Sequence, residues 1–294
     1  MQIGYLGPEN SFTYLAAREA FAHETLVPYP SIPLCIQALV NGVIDRCVVP
    51  NENSLEGSVH ATIDTLFREQ QLSIEKEIIL PINHQLVVAD RKDMSRQPIK
   101  RIISHPQALA QCTNYLNRYY QDAVIEAVAS TTTAALYVKN HPEEAVAAIA
   151  SKEAATAYQL RVEAENIQDV SFNQTRFWVM QHVPATLQHL SDQADKATIF
   201  VTLPANQPGS LHKILAAFGW RDIDLSKIES RPSKTTLGEY FFVIDLVVDK
   251  PIQLIANAFE EIQLLGGTVH LLGVYPITEK RMSKGEKTND NQTL

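Results

Sequence analysis

TIFVTLPANQPGSLHKILAAF, at residues 198–218, begins with an apolar run that predicts a β-strand and ends with apolar residues at helical spacing. The following residues predict a strand over 222–231, a strand over 239–248, a helix over 252–265 and a strand over 268–275. This βαββαβ order is typical of a four-stranded antiparallel sheet with two helices on one face. The other face must pair with another surface or face water. We therefore expect a ferredoxin-like domain over residues 196–276.

The first 180 residues alternate short apolar runs with helical patterns, which indicates an α/β domain over residues 1–183. Strands are predicted at 2–6, 46–49, 78–88, 101–103, 124–128, 146–150 and 175–180, and the first two helices at 11–21 and 32–40. Apolar content falls over 184–195, which predicts a linker. After Pro276 large apolar side chains are nearly absent, which predicts a disordered tail over 277–294.

The composition restricts the classes of partner. Lys plus Arg number 25 and Asp plus Glu number 33, so the formal net charge is −8, which does not favour nucleic acid or an anionic membrane. The apolar runs are too short to cross a bilayer, and the first residues do not resemble a secretion signal. Cys35, Cys47 and Cys112 contain no Cys-x-x-Cys pair. We expect a cytoplasmic protein with reduced thiols and a small-molecule partner.

Short polar residues follow several predicted strands and open the next helix. The pattern occurs at Asn10–Ser11, Asn53–Ser54, Ser104 and Ser130–Thr133. Helix N-termini bind anions, and the carboxyl ends of strands meet at one edge of an α/β sheet. The pattern therefore predicts a cup for carboxylates, although the same residue types are also the favoured helix N-caps.

Neither a cofactor nor a metal is predicted. Gly4 and Gly7 are too sparse for a dinucleotide-binding loop. The nine histidines form no H-E-x-x-H motif and no cluster with cysteine. Ser54 does not stand in a G-x-S-x-G elbow, so no serine nucleophile is evident.

Six strings spread over both domains carry a family resemblance. They are GPENSFTYLAA (7–17), VPNENSLEGSV (49–59), HPQALAQC (105–112), NQTRFWV (173–179), PGSLHKIL (208–215) and KIESRP (227–232). Together and in this order they resemble the prephenate dehydratase family, from residue 3 to about 275. Thr-Arg-Phe and Glu-Ser-Arg-Pro are the strongest signal, because they lie in separate domains at the expected separation.

The resemblance implies an enzyme of phenylalanine biosynthesis that converts prephenate to phenylpyruvate, water and carbon dioxide. It implies two α/β lobes built like a type II periplasmic binding protein, with the active site in the cleft between them. A regulatory ACT domain follows in this family, and the βαββαβ segment is what an ACT domain would be.

Thr175, the Thr of Thr-Arg-Phe, is the residue that the resemblance ties most closely to catalysis. Prephenate is a dianion that loses its C1 carboxylate as carbon dioxide and its C4 hydroxyl as water, so the departing hydroxide needs a proton or a strong hydrogen bond. Thr175 can donate that bond, and Arg176 offers a planar fork for a carboxylate. By propensity alone, Thr175 would be an ordinary β-branched strand residue and Arg176 one partner of a surface ion pair.

Glu52 is the second candidate acid. Burial at a strand end would favour its protonated form and let it protonate the leaving group. It can equally be a carboxylate placed at a helix start by the helix dipole. The predicted substrate-binding residues are Asn53, Ser54, Ser11, Thr132, Arg176 and Phe177.

The resemblance also implies an allosteric L-phenylalanine site between two ACT domains and a homo-oligomer, a dimer of dimers. The residues that match this site are Gly209, Ser210, Leu211, Glu229, Ser230, Arg231 and Pro232. Gly209 before a helix exposes N–H groups for a carboxylate, but it can also simply form a tight turn. Asn51 stands where Ile is usual in the family, and Ser210 where Ala is usual.

Two alternative functions stay open at this point. Arogenate dehydratase differs only in substrate, which carries an ammonium group where prephenate has a keto group. An amino-acid sensor would join a two-lobed binding module to an ACT domain without catalysis. The Thr-Arg-Phe string and the lack of a basic DNA-binding segment argue against the sensor.

Overall fold

The computed structural model describes residues 1–90, 98–187, 194–203, 209–233 and 239–280. These residues form sheets of seven, five and four strands. The first two sheets are the centres of two α/β lobes, and the third belongs to the C-terminal domain. No helix in these described ranges is both long enough and apolar enough to span a membrane.

The first lobe is made from three separate parts of the chain. It contains β1 (Gln2–Leu6), α1 (Phe12–Ala20), β2 (Thr25–Tyr29), α2 (Ile32–Val40), β3 (Arg46–Asn53), β4 (Gly57–Ser58), α3 (His60–Leu66), β5 (Ser73–Pro81), β11 (Gln174–Gln181) and β16 (Ile277–Glu279). The strand order is β16-β5-β11-β3-β1-β2, and β4 pairs with β3. The predicted helices at 11–21 and 32–40 are confirmed. They are capped by Ser11 and Ser31, which accept backbone N–H groups of their own first turns.

The second lobe is continuous in sequence. It contains β6 (Gln85–Ala89), β7 (Arg101–Ser104), α4 (Pro106–Ala110), α5 (Thr113–Tyr119), β8 (Val124–Ala127), α6 (Thr131–Asn140), β9 (Val146–Ala150), α7 (Lys152–Tyr158) and β10 (Leu160–Ala164). Its strand order is β10-β6-β9-β7-β8. The single strand predicted over 78–88 is wrong. The apolar run is divided between β5 and β6, because residues 82–84 carry the chain from one lobe to the other.

The chain returns to the first lobe before β11, which enters between β3 and β5. It pairs antiparallel with both, so that Thr175 lies opposite Asn53 on one side and opposite Leu80 on the other. The strand that carries the Thr-Arg-Phe string is thus a central strand of the first sheet. The two-lobed α/β architecture predicted for residues 1–183 is present.

The C-terminal domain has the predicted βαββαβ order. It contains β12 (Lys196–Thr202), α8 (Ser210–Gly219), β13 (Leu225–Pro232), β14 (Tyr240–Val247), α9 (Ile252–Leu264) and β15 (Thr268–Tyr275). The antiparallel sheet has the strand order β13-β14-β12-β15. Apolar residues of both helices form one core with the sheet, including Ile199, Ile244 and Ile255. The ferredoxin-like prediction is confirmed.

The other face of this sheet packs against the first lobe. Phe67, after α3, stacks on Phe241 of β14 with ring centroids 3.8 Å apart. Phe200 and Leu272 join the same apolar cluster. At Gly273 a Cβ atom would lie 2.4 Å from the backbone oxygen of a β5 residue, so only glycine allows this close approach of β15. The sheet face whose partner the sequence did not predict is therefore the contact between the C-terminal domain and the first lobe.

Part of the predicted disordered tail is wrong. Residues 277–279 form β16, which pairs parallel with β5 at the edge of the first sheet. An edge strand leaves backbone N–H and C=O groups unpaired, and β16 satisfies those of β5 without needing large apolar side chains. Residues 281–294, and residues 188–193 of the predicted linker, lie outside the described residues.

Candidate active site

A cleft of about 1240 Å³ lies between the two lobes, beside the segments where the chain crosses between them. The N-terminal ends of α1 and α6, the start of β11 and the crossover residue His84 contribute to its lining. Ser11, Asn53, Ser130, Asn173 and Thr175 supply polar groups. Among the described lining residues none is Lys or Arg. An anion held here would therefore contact backbone N–H, hydroxyl, amide and imidazole groups, with the carboxylate of Glu56 also in the lining.

Thr175 is the second residue of β11, and its side chain faces the cleft with 9% of its surface exposed. Asn53 Nδ2 donates a hydrogen bond to Thr175 Oγ1 at 2.9 Å. Since the Thr175 oxygen already accepts this bond, its own hydrogen remains to be donated. The pair therefore presents an oriented hydroxyl donor to the cleft.

Asn53 is fixed by contacts on both ends of its amide. Its Oδ1 accepts the backbone N–H groups of Leu55 and Glu56 at 3.0 and 3.1 Å, and these two bonds decide which end is the oxygen. Its Nδ2 also lies 2.8 Å from Asn173 Oδ1. The orientation of the Thr175 donor thus depends on a well-determined amide.

The same network continues into the second lobe. Asn173 Nδ2 donates to Gln111 Oε1 at 2.8 Å, and His84 Nε2 lies 3.1 Å from the same oxygen. Burial lowers the pKa of His84 below its ordinary value, so its ring is neutral near pH 7. The contact with a carbonyl oxygen assigns the hydrogen to Nε2. Gln111, Asn173 and His84 were not predicted as site residues; the only signal was that the first two lie inside the quoted strings.

The N-termini of two full helices open onto the cleft. Ser11 Oγ accepts the N–H of Tyr14 at 3.2 Å, and Ser130 Oγ accepts the N–H of Thr133 at 2.9 Å. Each helix end carries a partial positive charge and free N–H groups in its first turn. Both interpretations of these serines apply here, because they cap their helices and also line the cleft.

Comparison with known proteins agrees with this architecture. The family model for prephenate dehydratase matches residues 3–185, and that for the ACT domain matches residues 197–263. The prephenate dehydratase of Lactococcus lactis subsp. lactis (strain IL1403) is 44% identical over 278 residues, which cover 94% of this chain and 98% of the relative. This chain belongs to the prephenate dehydratase family.

Two solved structures illustrate the range of the fold. The prephenate dehydratase of Arthrobacter aurescens, in complex with L-Phe, is 33% identical with a TM-score of 0.82, covering 94% of this chain and 90% of that one. A structure described as GqqA, a quorum quenching acylase, is 26% identical with a TM-score of 0.79, covering 95% and 98%. Proteins with this prephenate dehydratase fold are thus associated with more than one reaction.

Glu52 and Arg176 were predicted to act on the substrate, but neither residue lines the cleft. They lie opposite each other on β3 and β11, next to the facing pair Asn53 and Thr175. Successive side chains of a strand point to opposite faces, so Glu52 and Arg176 face the ACT domain instead. Arg176 Nη1 donates to Glu52 Oε2 at 2.9 Å. The placement of an acid and a carboxylate fork in the cleft is therefore wrong.

The other predicted substrate-binding residues divide into two groups. Ser11, Asn53 and Phe177 line the cleft. Ser54 and Thr132 do not: Ser54 Oγ accepts the N–H of Gln174 at 3.0 Å, and Thr132 is buried on the inner side of α6. Its neighbours Thr131 and Thr133 line the cleft instead, because only one side of the first turn of α6 faces the opening.

The predicted effector segments occupy different surroundings. Gly209 is the N-cap of α8 and has a φ of 82°, a backbone conformation that glycine favours. Glu229 faces the first lobe, where it accepts a short hydrogen bond from Ser58 Oγ. Arg231 Nη2 donates to Asp64 Oδ1 at 2.9 Å. The charged residues of Glu-Ser-Arg-Pro thus bind the first lobe of the same chain, while Ser230 and Pro232 are exposed.

Among the described residues no three His, Cys, Asp or Glu side chains lie close enough together to hold a metal ion.

Proposed function

We propose that this protein converts prephenate to phenylpyruvate, water and carbon dioxide, with residues 1–183 as the catalytic part and residues 196–276 as the regulatory part. The observation that carries the proposal is the Thr175 hydroxyl. Asn53 occupies its oxygen, so its hydrogen is available in the cleft. An oriented hydroxyl in a described lining without Lys or Arg suits a reaction that requires help at one leaving group.

The reaction is a coupled fragmentation. The electrons of the bond between C1 and its carboxylate move into the ring as carbon dioxide leaves, and the bond between C4 and its hydroxyl breaks. The hydroxide takes up one proton and leaves as water, and the ring becomes aromatic. Thr175 donates its hydrogen bond to the C4 oxygen as negative charge develops there, while the net proton comes from solvent. Help of this kind contributes about 10² to 10⁴ in rate.

The two carboxylates of prephenate need separate subsites. The N-terminus of α1, at Ser11, and that of α6, at Ser130, lie on opposite lobes and both reach the cleft. Each supplies N–H donors and a partial positive charge of roughly half a unit. Binding the dianion across the two lobes would hold its ring between them, next to Thr175.

Regulation by L-phenylalanine belongs to the same proposal. The ACT domain lies against the catalytic part, a relative was solved with L-Phe bound, and Gly209 offers a backbone suited to a carboxylate. We place the effector at Gly209, Ser210 and Leu211 together with Ser230 and Pro232. Glu229 and Arg231 already bind the first lobe, so we expect them to respond to the effector rather than to hold it.

Assembly and location complete the proposal. A second copy would be needed to enclose the effector, which makes a homo-oligomer, a dimer of dimers, the expected assembly. Cys35, Cys47 and Cys112 are buried and form no disulfide, as suits a reducing compartment such as the cytoplasm.

The test compares wild type, Thr175→Ala and Thr175→Ser, with phenylpyruvate measured by its absorbance in alkali and folding checked by circular dichroism. We expect Thr175→Ala to lose about 10²-fold or more in kcat with KM little changed, because the donor acts in the transition state. Thr175→Ser keeps the hydroxyl and should keep most of the activity.

Wild-type kcat in Thr175→Ala would contradict the assignment. Arogenate and an N-acylated substrate, assayed alongside, address the alternatives. Faster turnover of arogenate, or acyl cleavage without any prephenate turnover, would replace the proposed reaction. Binding of L-phenylalanine by a folded chain that turns over none of these substrates would support the sensor.

A further inference from the structure

The face of β11 opposite the cleft carries a row of alternating charges. Arg176 lies in its middle: its Nη1 is 2.9 Å from Glu52 Oε2, and its Nε is 3.8 Å from Glu77 Oε1. Glu77 is completely buried and accepts a hydrogen bond from Trp178 Nε1 at 3.2 Å. Arg176 and Trp178 share this face because they are two residues apart, whereas Thr175 and Phe177, on either side of Arg176, line the cleft.

Each of the two carboxylates is shared with one lysine of the ACT domain. Lys227 Nζ on β13 lies 3.4 Å from Glu52 Oε1, and Lys196 Nζ on β12 lies 2.8 Å from Glu77 Oε1. Strands β13 and β12 are separated by β14, so the lysines hold the ACT sheet at two points. The row therefore runs Lys227, Glu52, Arg176, Glu77, Lys196, with the sign changing at every step.

Further contacts restrict the two lysines. Lys227 Nζ donates to Ser58 Oγ at 2.5 Å and lies 3.5 Å from Glu229 Oε2. Ser58 lines the cleft, so Lys227 contacts the catalytic part at two places. Lys196 Nζ lies 3.7 Å from Asp245 Oδ2 on β14. Both lysines are tied to their own sheet as well as to the first lobe.

Buried charges make this row sensitive to position. A buried carboxylate is strongly destabilising when one of its partners is removed, because the remaining charge is uncompensated. The partners of Glu77 come from β11 and β12, which belong to different domains. A shift of β11 relative to the ACT sheet would stretch these contacts. Thr175 is joined to Arg176 by one peptide bond, and a misplacement of about 1 Å can cost about 10² in rate.

We propose that Arg176 is a positioning residue for the reaction, and that the ACT domain sets the position of Thr175 through the contacts of Lys227 with Glu52 and of Lys196 with Glu77. The inference rests on the proposed function. Arg176 acts from behind the strand and does not touch the substrate. An effector that moves the ACT sheet would then change the placement of the donor.

The first test is kinetic. Arg176→Met should lower kcat by about 10²-fold and leave KM within about twofold, because the substrate contacts remain. Lys227→Met should lower kcat with KM unchanged, and the double variant should be no slower than Arg176→Met alone, because the proposed effect of Lys227 passes through Glu52 and Arg176 rather than through Ser58. Lys152→Met is the matched control, since Lys152 also lies 3.4 Å from a carboxylate, that of Glu165, but on the surface of the second lobe.

A tenfold rise in KM with kcat intact in Arg176→Met would overturn the inference, as would multiplicative losses in the double variant. If Arg176→Met does not fold, Lys227→Met and Arg176→Lys decide the question: wild-type kcat in Lys227→Met refutes the proposal, and recovery of kcat in Arg176→Lys supports it.

A second readout does not depend on activity. The sequence has two tryptophans, so in a Trp220→Phe background Trp178 is the sole reporter of the Glu77 contact. Lys227→Met should shift its emission, while Lys152→Met should not. Unchanged emission in Lys227→Met would overturn the inference. If Lys227→Met shifts the emission as expected but the folded wild type does not turn over prephenate, only the proposed function is defeated.

Discussion

Asn53→Asp reverses the hydrogen bond on which the proposed catalytic donor depends. The substitution keeps the size of the side chain and the oxygen that accepts the N–H groups of Leu55 and Glu56. The nitrogen that lies 2.9 Å from Thr175 Oγ1 becomes an ionised oxygen. Thr175 must then donate to residue 53 and has no hydrogen left for the substrate.

The expected loss follows from this geometry. Removing one donor aimed at developing negative charge costs about 10² to 10³ in kcat. A second effect acts on stability, because the new oxygen would face Asn173 Oδ1, which now lies 2.8 Å from Asn53 Nδ2. An unsatisfied buried polar contact costs about 1 to 3 kcal/mol, so the melting temperature should fall by several degrees.

The assay is phenylpyruvate formation between pH 5 and 8, with thermal melts of the same samples. Protonation of the new carboxyl restores an O–H donor, so kcat of Asn53→Asp should rise as the pH falls, unlike that of wild type. Asn117→Asp, an exposed residue of α5, adds the same charge as a control. A kcat within about threefold of wild type at pH 8 would refute the hydroxyl-orientation argument.

Three further predictions concern stability and reactivity. Gly273→Ala should destabilise the chain by about 1 to 3 kcal/mol in thermal melts, because its Cβ would overlap the β5 backbone, whereas Gly219→Ala has open space and should be nearly neutral. Burial lowers the pKa of His84, so at mildly acidic pH the unfolded state binds more protons than the folded state. The contribution of neutral His84 to stability is present above about pH 6.5 and is lost as the pH falls through the folded pKa. Denaturant titrations should therefore show that His84→Gln loses less of its free energy of unfolding at acid pH than wild type does. Burial raises the pKa of Cys112 to about 12 and also raises that of Cys47, so a thiol reagent at pH 8 should label them only after denaturation; rapid labelling of the native chain would contradict this.

The sequence predicts well what depends on local chemistry. Ser11 and Ser130 open helices because a hydroxyl satisfies an N–H group of the first turn, and this needs no knowledge of the rest of the chain. The βαββαβ order of the C-terminal domain is likewise present in the apolar spacing. Thr175 could be assigned to the cleft only through the family strings, and it does line the cleft.

Most of the errors arise where the outcome depends on distant partners, but one of them could have been avoided from the sequence. Adjacent strand residues face opposite sides, so Thr175 and Arg176 cannot both point into one cleft, and this alternation was available in the sequence. What occupies the opposite face was not available, because the contacts of Arg176 with Glu77 and of Glu52 with Lys227 join distant segments. The division of residues 78–88 between two lobes also depends on tertiary structure.

The late arrival of β11 between β3 and β5 affects how the chain can be synthesised. Asn53 and Thr175 are separated by 122 residues, so their hydrogen bond closes only after the entire second lobe has left the ribosome. Until then β3 and β5 each present an unpaired edge to the nascent chain and its neighbours, which is an aggregation hazard. We expect the first lobe to fold slowly and late, because β16, which covers the outer edge of β5, follows the whole ACT domain in the chain.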